Sequence, residues 1–167
     1  MIRKAKLTDV SRIAEINVYG WRNTYLGIIS NDILFKELSV EKSIARYSKA
    51  IQEEDNSIYV FEDDESEIIK AMMGIFDCFD EQIKNAFELK YIYVETAFCR
   101  EGIGTKLLNY FEEVGKAKGK SAFVIYTIDT NYNARNFYEK NGYKSDGVKK
   151  YNEKLNITDV RYVKNVF

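Results

Sequence analysis

The chain has no histidine, no proline and only two cysteines, Cys78 and Cys99. Without histidine no Ser-His or Cys-His nucleophilic pair can form, so any general base must be a carboxylate, a tyrosine, a lysine or water. Two cysteines with no histidine make a poor zinc site, and no metal is expected. Their spacing is not of a metal-binding kind and fits a reducing compartment, which makes a cytoplasmic location the expectation. No apolar run is long enough to span a bilayer. Met1-Ile2-Arg3-Lys4-Ala5-Lys6 is positively charged but no apolar core follows it, so no signal peptide is expected. Lysine and arginine total 25 against 26 aspartates and glutamates. That balance gives no electrostatic case for nucleic acid or an anionic membrane as a partner. We attach no function to the missing proline.

What is present points to one folded domain spanning 1–167. The 167 residues are 46% hydrophobic, enough for a substantial core. A short strand is expected over Ile2–Lys6, then a helix near 9–19 capped by Thr8 or Asp9, with Ile13 and Ile16 inward. A mixed stretch follows around Gly20 and Gly27. Ser39 can cap a helix near 40–53, where Ile44, Tyr47, Ser48 and Ile51 share a face. Ser57–Phe61 and Ile68–Phe79 read as hairpin strands across an acidic turn, Glu62–Glu67. Phe87–Val94 is a third strand, and Ala122–Ile128 a buried one. A short helix opens at Asn133 or nearby and ends at Gly142, a plausible C′ residue. Tyr143–Lys150 and Asp159–Val166 read as an antiparallel pair. The order β-α-α-β-β-β-α-β-α-β-β describes a mixed α/β fold.

The most informative stretch is Cys99-Arg100-Glu101-Gly102-Ile103-Gly104-Thr105-Lys106-Leu107-Leu108, between the strand ending at Val94 and an amphipathic helix. That helix carries Ile103, Leu107, Leu108, Phe111 and Val114 on one stripe. Two glycines one residue apart at a helix start can aim backbone N–H groups at an anion, and the helix dipole adds to the attraction. A phosphate-bearing cofactor is the expected guest. The turn lacks both the Walker pattern and the Rossmann Gly-x-Gly-x-x-Gly, which argues against a nucleotide-binding module.

Taken in order, four segments resemble the GNAT superfamily of acetyl-CoA-dependent N-acetyltransferases. They are Ile92-Tyr93-Val94, preceded by Glu88-Leu89; the Gly102-Ile103-Gly104 turn and its helix; Asn131-x-x-Ala134-x-x-Phe137-Tyr138-Glu139-Lys140-Asn141-Gly142-Tyr143; and Trp21-Arg22-Asn23-Thr24-Tyr25-Leu26-Gly27-Ile28-Ile29. The last resembles the branch that includes the PaiA-type polyamine acetyltransferases. The resemblance implies a GNAT fold, with a mixed, mostly antiparallel sheet of six to seven strands flanked by helices. In that family the cofactor turn reads Gln/Arg-x-x-Gly-x-Gly/Ala; here Cys99 stands in the first slot and Arg100 follows it.

The resemblance also implies roles. The amides of Arg100, Glu101, Gly102, Ile103, Gly104 and Thr105 would cradle the pyrophosphate of acetyl-CoA, the glycines letting backbone and phosphate approach. The strand at Ile92, Tyr93 and Val94 would splay from Ala122–Ile128 and pair with the pantetheine arm. The Val94 N–H would hold the thioester oxyanion, and Asn131 would hydrogen-bond the pantetheine. Tyr138 would protonate the departing thiolate, and Glu88 would take the proton from the amine. Trp21 and Tyr25 would hold the amine against their aromatic faces. Asp32, Asp77 and Asp80 are candidates to balance a polycation. The expected reaction is direct acetyl transfer to a small primary amine such as a polyamine. Acetylation of a protein N-terminus or lysine is the alternative, and a non-catalytic acyl-CoA sensor a third reading. By family habit a homodimer is an open expectation.

Overall fold

The element order read from the sequence is that of the computed structural model, which describes residues 1–53 and 57–165. The strands form one seven-stranded sheet in the order β1-β2-β3-β4-β5-β7-β6. These are β1 (Ile2–Lys4), β2 (Ile58–Glu62), β3 (Ile69–Asp77), β4 (Ala86–Val94), β5 (Ala122–Ile128), β6 (Lys144–Asn152) and β7 (Ile157–Asn165). β2 runs antiparallel to β1 and β3, and β7 antiparallel to β5 and β6, whereas β4 and β5 are parallel. The helices are α1 (Val10–Tyr25), α2 (Val40–Gln52), α3 (Ile103–Ala117) and α4 (Tyr132–Lys140). This is the mixed, mostly antiparallel sheet with flanking helices that was expected. The chain partitions into two compact units, 1–75 with 91–110, and 76–90 with 111–167.

In the first unit β1 stops two residues short of the expectation. The Lys6 N–H turns to the Asp9 carboxylate (2.7 Å), which also receives both terminal nitrogens of Arg3. Asp9 is therefore spent on the strand exit and makes no side-chain cap on α1. The larger difference is α1 itself, which runs six residues beyond the expected end, to Tyr25. Gly20 does not break it. A Cβ there would come within 2.9 Å of the Tyr93 ring, so this glycine clears room for an aromatic neighbour inside a helix. Gly27, with φ +82°, is the residue that turns the chain. Ser39 caps α2 as expected, accepting the Lys42 N–H at 3.2 Å. Tyr47 is the deeply buried anchor of that helix, packed in a core with Val10, Ile13, Ile16, Val60 and Met72.

In the second unit the parallel register of β4 on β5 spans Ala86–Leu89 against Ala122–Ile125, while β4 itself continues to Val94. Strand alternation puts Phe87, Leu89, Phe123, Ile125 and Tyr162 on one face. Phe111 of α3 stacks on Phe87 and meets Phe123 edge-on. Gly115 is glycine because a Cβ would collide with the Phe123 ring. Glu88, Val124, Tyr126, Arg161 and Asp159 share the opposite face. The last two strands pair further toward their turn than expected, from Asn152 and Ile157. Val166, the expected end of β7, lies outside the described residues.

Candidate active site

The turn after β4 is built by hydrogen bonds that the chain makes to itself. Glu95 accepts the Thr96 N–H (3.1 Å) and so starts a short 3-10 turn, Thr96–Phe98; its carboxylate also pairs with Arg12 (3.0 Å). The Cys99 thiol reaches back to the carbonyl oxygens of Val94 (3.9 Å) and Glu95 (3.7 Å). Burial and the nearby Glu95 push the Cys99 thiol up. Arg100 (φ +70°) and Gly102 (φ +77°) then take left-handed conformations in quick succession. No heavy atom lies within 4 Å of a Cβ built on Gly102, so its conformation, not crowding within the chain, favours glycine there.

Those two residues swing the backbone into α3. The Lys106 N–H makes the first bond of the helix ladder, to the Gly102 carbonyl at 3.0 Å. The N–H groups of Ile103, Gly104 and Thr105 therefore precede the ladder, as the first donors of any helix do. Ile103, Leu107 and Leu108 are buried and hold the helix start in place. The donor set, backbone N–H groups at a helix N-terminus with open space over Gly102, fits a pyrophosphate. In the same unit Trp21 and Tyr25, both half-buried on α1, meet edge-on with ring centroids 5.1 Å apart. Ile92, Tyr93 and Val94 are half-buried on β4, and Tyr93 stacks beside Tyr91 at 6.3 Å.

The second unit carries the other predicted residues. Asn131 is the cap of α4, accepting the Ala134 N–H at 3.2 Å, so the helix opens at Tyr132, next to Asn133 where its start was expected. At its other end Gly142 (φ +87°) donates to the Glu139 carbonyl and Tyr143 to that of Tyr138, a Schellman motif. Tyr138 is 6% exposed, with its ring among those of Phe137, Tyr143 and Tyr162. Glu88, on β4 opposite Val124, is 9% exposed and its carboxylate pairs with Lys90 at 3.2 Å.

The carboxylates proposed to meet a polycation are already partnered. Asp32 holds Lys36, Asp77 holds Lys120, and Asp80 accepts from Tyr126, Arg161 and Lys150. With the Tyr126 hydroxyl and both cations on it, the Asp80 carboxyl is held well below the usual carboxylate range. Asp159 was not singled out from sequence. It is half-buried on the Glu88 face, and burial pushes its carboxyl up against the opposing charge of Lys90. Period-two alternation along β7 was the one available signal for it.

Three comparisons place the chain among the acetyl-CoA-dependent N-acetyltransferases. Residues 54–145 match the acetyltransferase (GNAT) domain family. A spermidine N(1)-acetyltransferase of Thermoplasma acidophilum is 26% identical over 86% of this chain and 87% of its own length. An uncharacterized Bacillus subtilis N-acetyltransferase, YuaI, is 31% identical over 78% of this chain and 72% of its own. The crystal structure of the PaiA N-acetyltransferase of Thermoplasma acidophilum in complex with coenzyme A superposes with a TM-score of 0.79 at 22% identity, covering 99% of this chain and 98% of that one. The chain belongs to the GNAT acetyltransferase family. Among the described residues, no helix is long and apolar enough to cross a membrane.

Proposed function

We propose that the protein is a single-domain small-amine N-acetyltransferase of the cytoplasm, with a polyamine as first acceptor. The observation that carries this reading is the turn at Arg100–Thr105, whose donor set suits the pyrophosphate of acetyl-CoA. The similarity to a spermidine acetyltransferase supports the acceptor. Acetyl-CoA supplies an activated acyl group on a thiol leaving group, so the chain needs no nucleophile of its own. The amides of Arg100 to Thr105 bind the pyrophosphate. Backbone of Ile92, Tyr93 and Val94 pairs with the pantetheine arm, and the Val94 N–H polarises the thioester carbonyl. The Asn131 carbonyl oxygen is spent on its helix, which leaves the side-chain N–H2 to donate to the pantetheine. Glu88 accepts the proton that the ammonium must lose before its nitrogen attacks the carbonyl carbon. The C–S bond breaks as the amide forms, the Tyr138 hydroxyl protonates the thiolate, and the second proton that the nitrogen sheds on becoming an amide restores the Tyr138 hydroxyl through solvent. Trp21 and Tyr25 offer aromatic edges and faces to the amine. No metal takes part.

The test is thiol release from acetyl-CoA against spermidine, spermine, amino acids, aminoglycosides and short peptides. Release with polyamines is the expected result. Release only with peptides moves the acceptor to a protein N-terminus or lysine, and coenzyme A binding with no release on any amine favours a sensor.

A further inference from the structure

The second unit contains a buried polar network behind Tyr138 that the reaction above does not use. Glu112 of α3 is 7% exposed and accepts from the Tyr143 hydroxyl (3.0 Å) and, with both oxygens, from Lys164 Nζ (2.7 and 2.9 Å). Lys164, on β7, also donates to the Asn141 carbonyl at 3.1 Å, at the C-cap of α4. One ion pair, between the buried Glu112 and the half-buried Lys164, thus ties three elements together at the end of α4 that carries Tyr138. Tyr143 is fully buried, its ring lies edge-on to that of Tyr138 at 6.3 Å, and its N–H donates to the Tyr138 carbonyl. Tyr162 holds a second side of Tyr138 at 6.2 Å and is itself oriented, donating to Glu139 (2.6 Å) and accepting from Arg135 (3.1 Å).

With Lys164 half-exposed, the pair itself adds little to stability. It does impose one geometry, since the buried Glu112 carboxylate is costly to leave without its partners. We propose that Lys164, Glu112 and Tyr143 are positioning residues. They set the height and tilt of the Tyr138 ring, so that its hydroxyl reaches the departing thiolate. This rests on the reading of Tyr138 as the general acid.

The experiment is a double-mutant cycle on kcat with acetyl-CoA and the best amine, using Tyr143→Phe and Tyr138→Phe. Glu112→Gln, which keeps the volume and an acceptor for Tyr143, is a second variant should the first lose folded protein. Thermal midpoint and coenzyme A affinity are read in parallel. Tyr143→Phe keeps the ring and loses only the bond to Glu112. It should lower kcat by about 3- to 30-fold, as small misplacements of a reacting group do, with little change in KM for acetyl-CoA. In the Tyr138→Phe background the same substitution should have no further effect on kcat, because it acts through the missing hydroxyl. Equal losses in both backgrounds, or no loss in either, overturn the positioning role while leaving Tyr138 as the acid. If Tyr138→Phe alone leaves kcat unchanged, the acid role falls, and this inference with it.

Discussion

Tyr138 and Glu88 are buried to a similar degree but in opposite chemical settings. Tyr138 sits among aromatic rings, whereas Glu88 faces the cation of Lys90. The Tyr138→Phe enzyme should lose about 10²-fold in kcat, the lower end of general-acid contributions, while coenzyme A affinity by calorimetry stays within error. A Glu88→Gln enzyme should lose about 10²-fold in kcat, and an unchanged kcat removes Glu88 as the base. Gly102 makes a separate claim on the cofactor. In Gly102→Ala the new Cβ meets no heavy atom of the chain but must sit at φ +77°, so stability should fall by about 1 kcal/mol, the usual cost of a side chain there, and coenzyme A affinity should fall with it. Equal affinity for both proteins would detach the turn from the pyrophosphate. At this scale the residue types were readable in sequence. What was not readable is that Asp77 and Asp80 meet cations brought to them by folding, whereas Asp32 pairs locally with Lys36, four residues on.

At the scale of elements, termini decided more than interiors. Ser39 was legible as a cap because its side chain answers an N–H three residues on, a local event. Asn131 caps α4 by the same kind of local bond, accepting the Ala134 N–H. The Schellman end at Gly142 was also legible, since only a left-handed residue closes it cheaply. Gly142→Ala should cost about 1 kcal/mol in urea unfolding, the usual penalty of a side chain at positive φ. It should also lower kcat, because the same turn anchors the Tyr138 carbonyl. A change in stability with kcat intact would separate the cap from the catalytic helix. The expected end of α1 near residue 19 fell short, because Gly20 lies inside the helix and clears room for the ring of Tyr93, far away in the chain.

Across the whole molecule the formal charge is −1, and the ion pairs are placed so that most are lost in acid. Asp80 accepts from Tyr126 and two cations, and Asp129 pairs with Lys149 and Arg135. Asp77 is held by Lys120. Asp9 and Asp146 are lowered by Arg3 and Arg161 against the cost of their burial. All five carboxyls lie below their ordinary value in the folded chain. A depressed carboxyl contributes stability that is complete above its unfolded value, near pH 4, and lost as the pH falls through the folded value. Asp159, raised by burial, works in the opposite sense above its ordinary value. The thermal midpoint should be flat from pH 7 to about 5 and fall below about 4. A midpoint that holds at pH 3 would mean these pairs add nothing. Asp80→Asn should remove part of the fall.

Sequence alone determined the order of elements, the glycine turn and the motif set that marks a GNAT enzyme, because apolar period, caps and left-handed turns act over a few residues. The tertiary structure alone decided the extent of α1, the pairing of Asp77 and Asp80 and the Glu112–Lys164 tie behind Tyr138. Those depend on strand register and on contacts between residues distant in the chain, which no local pattern encodes.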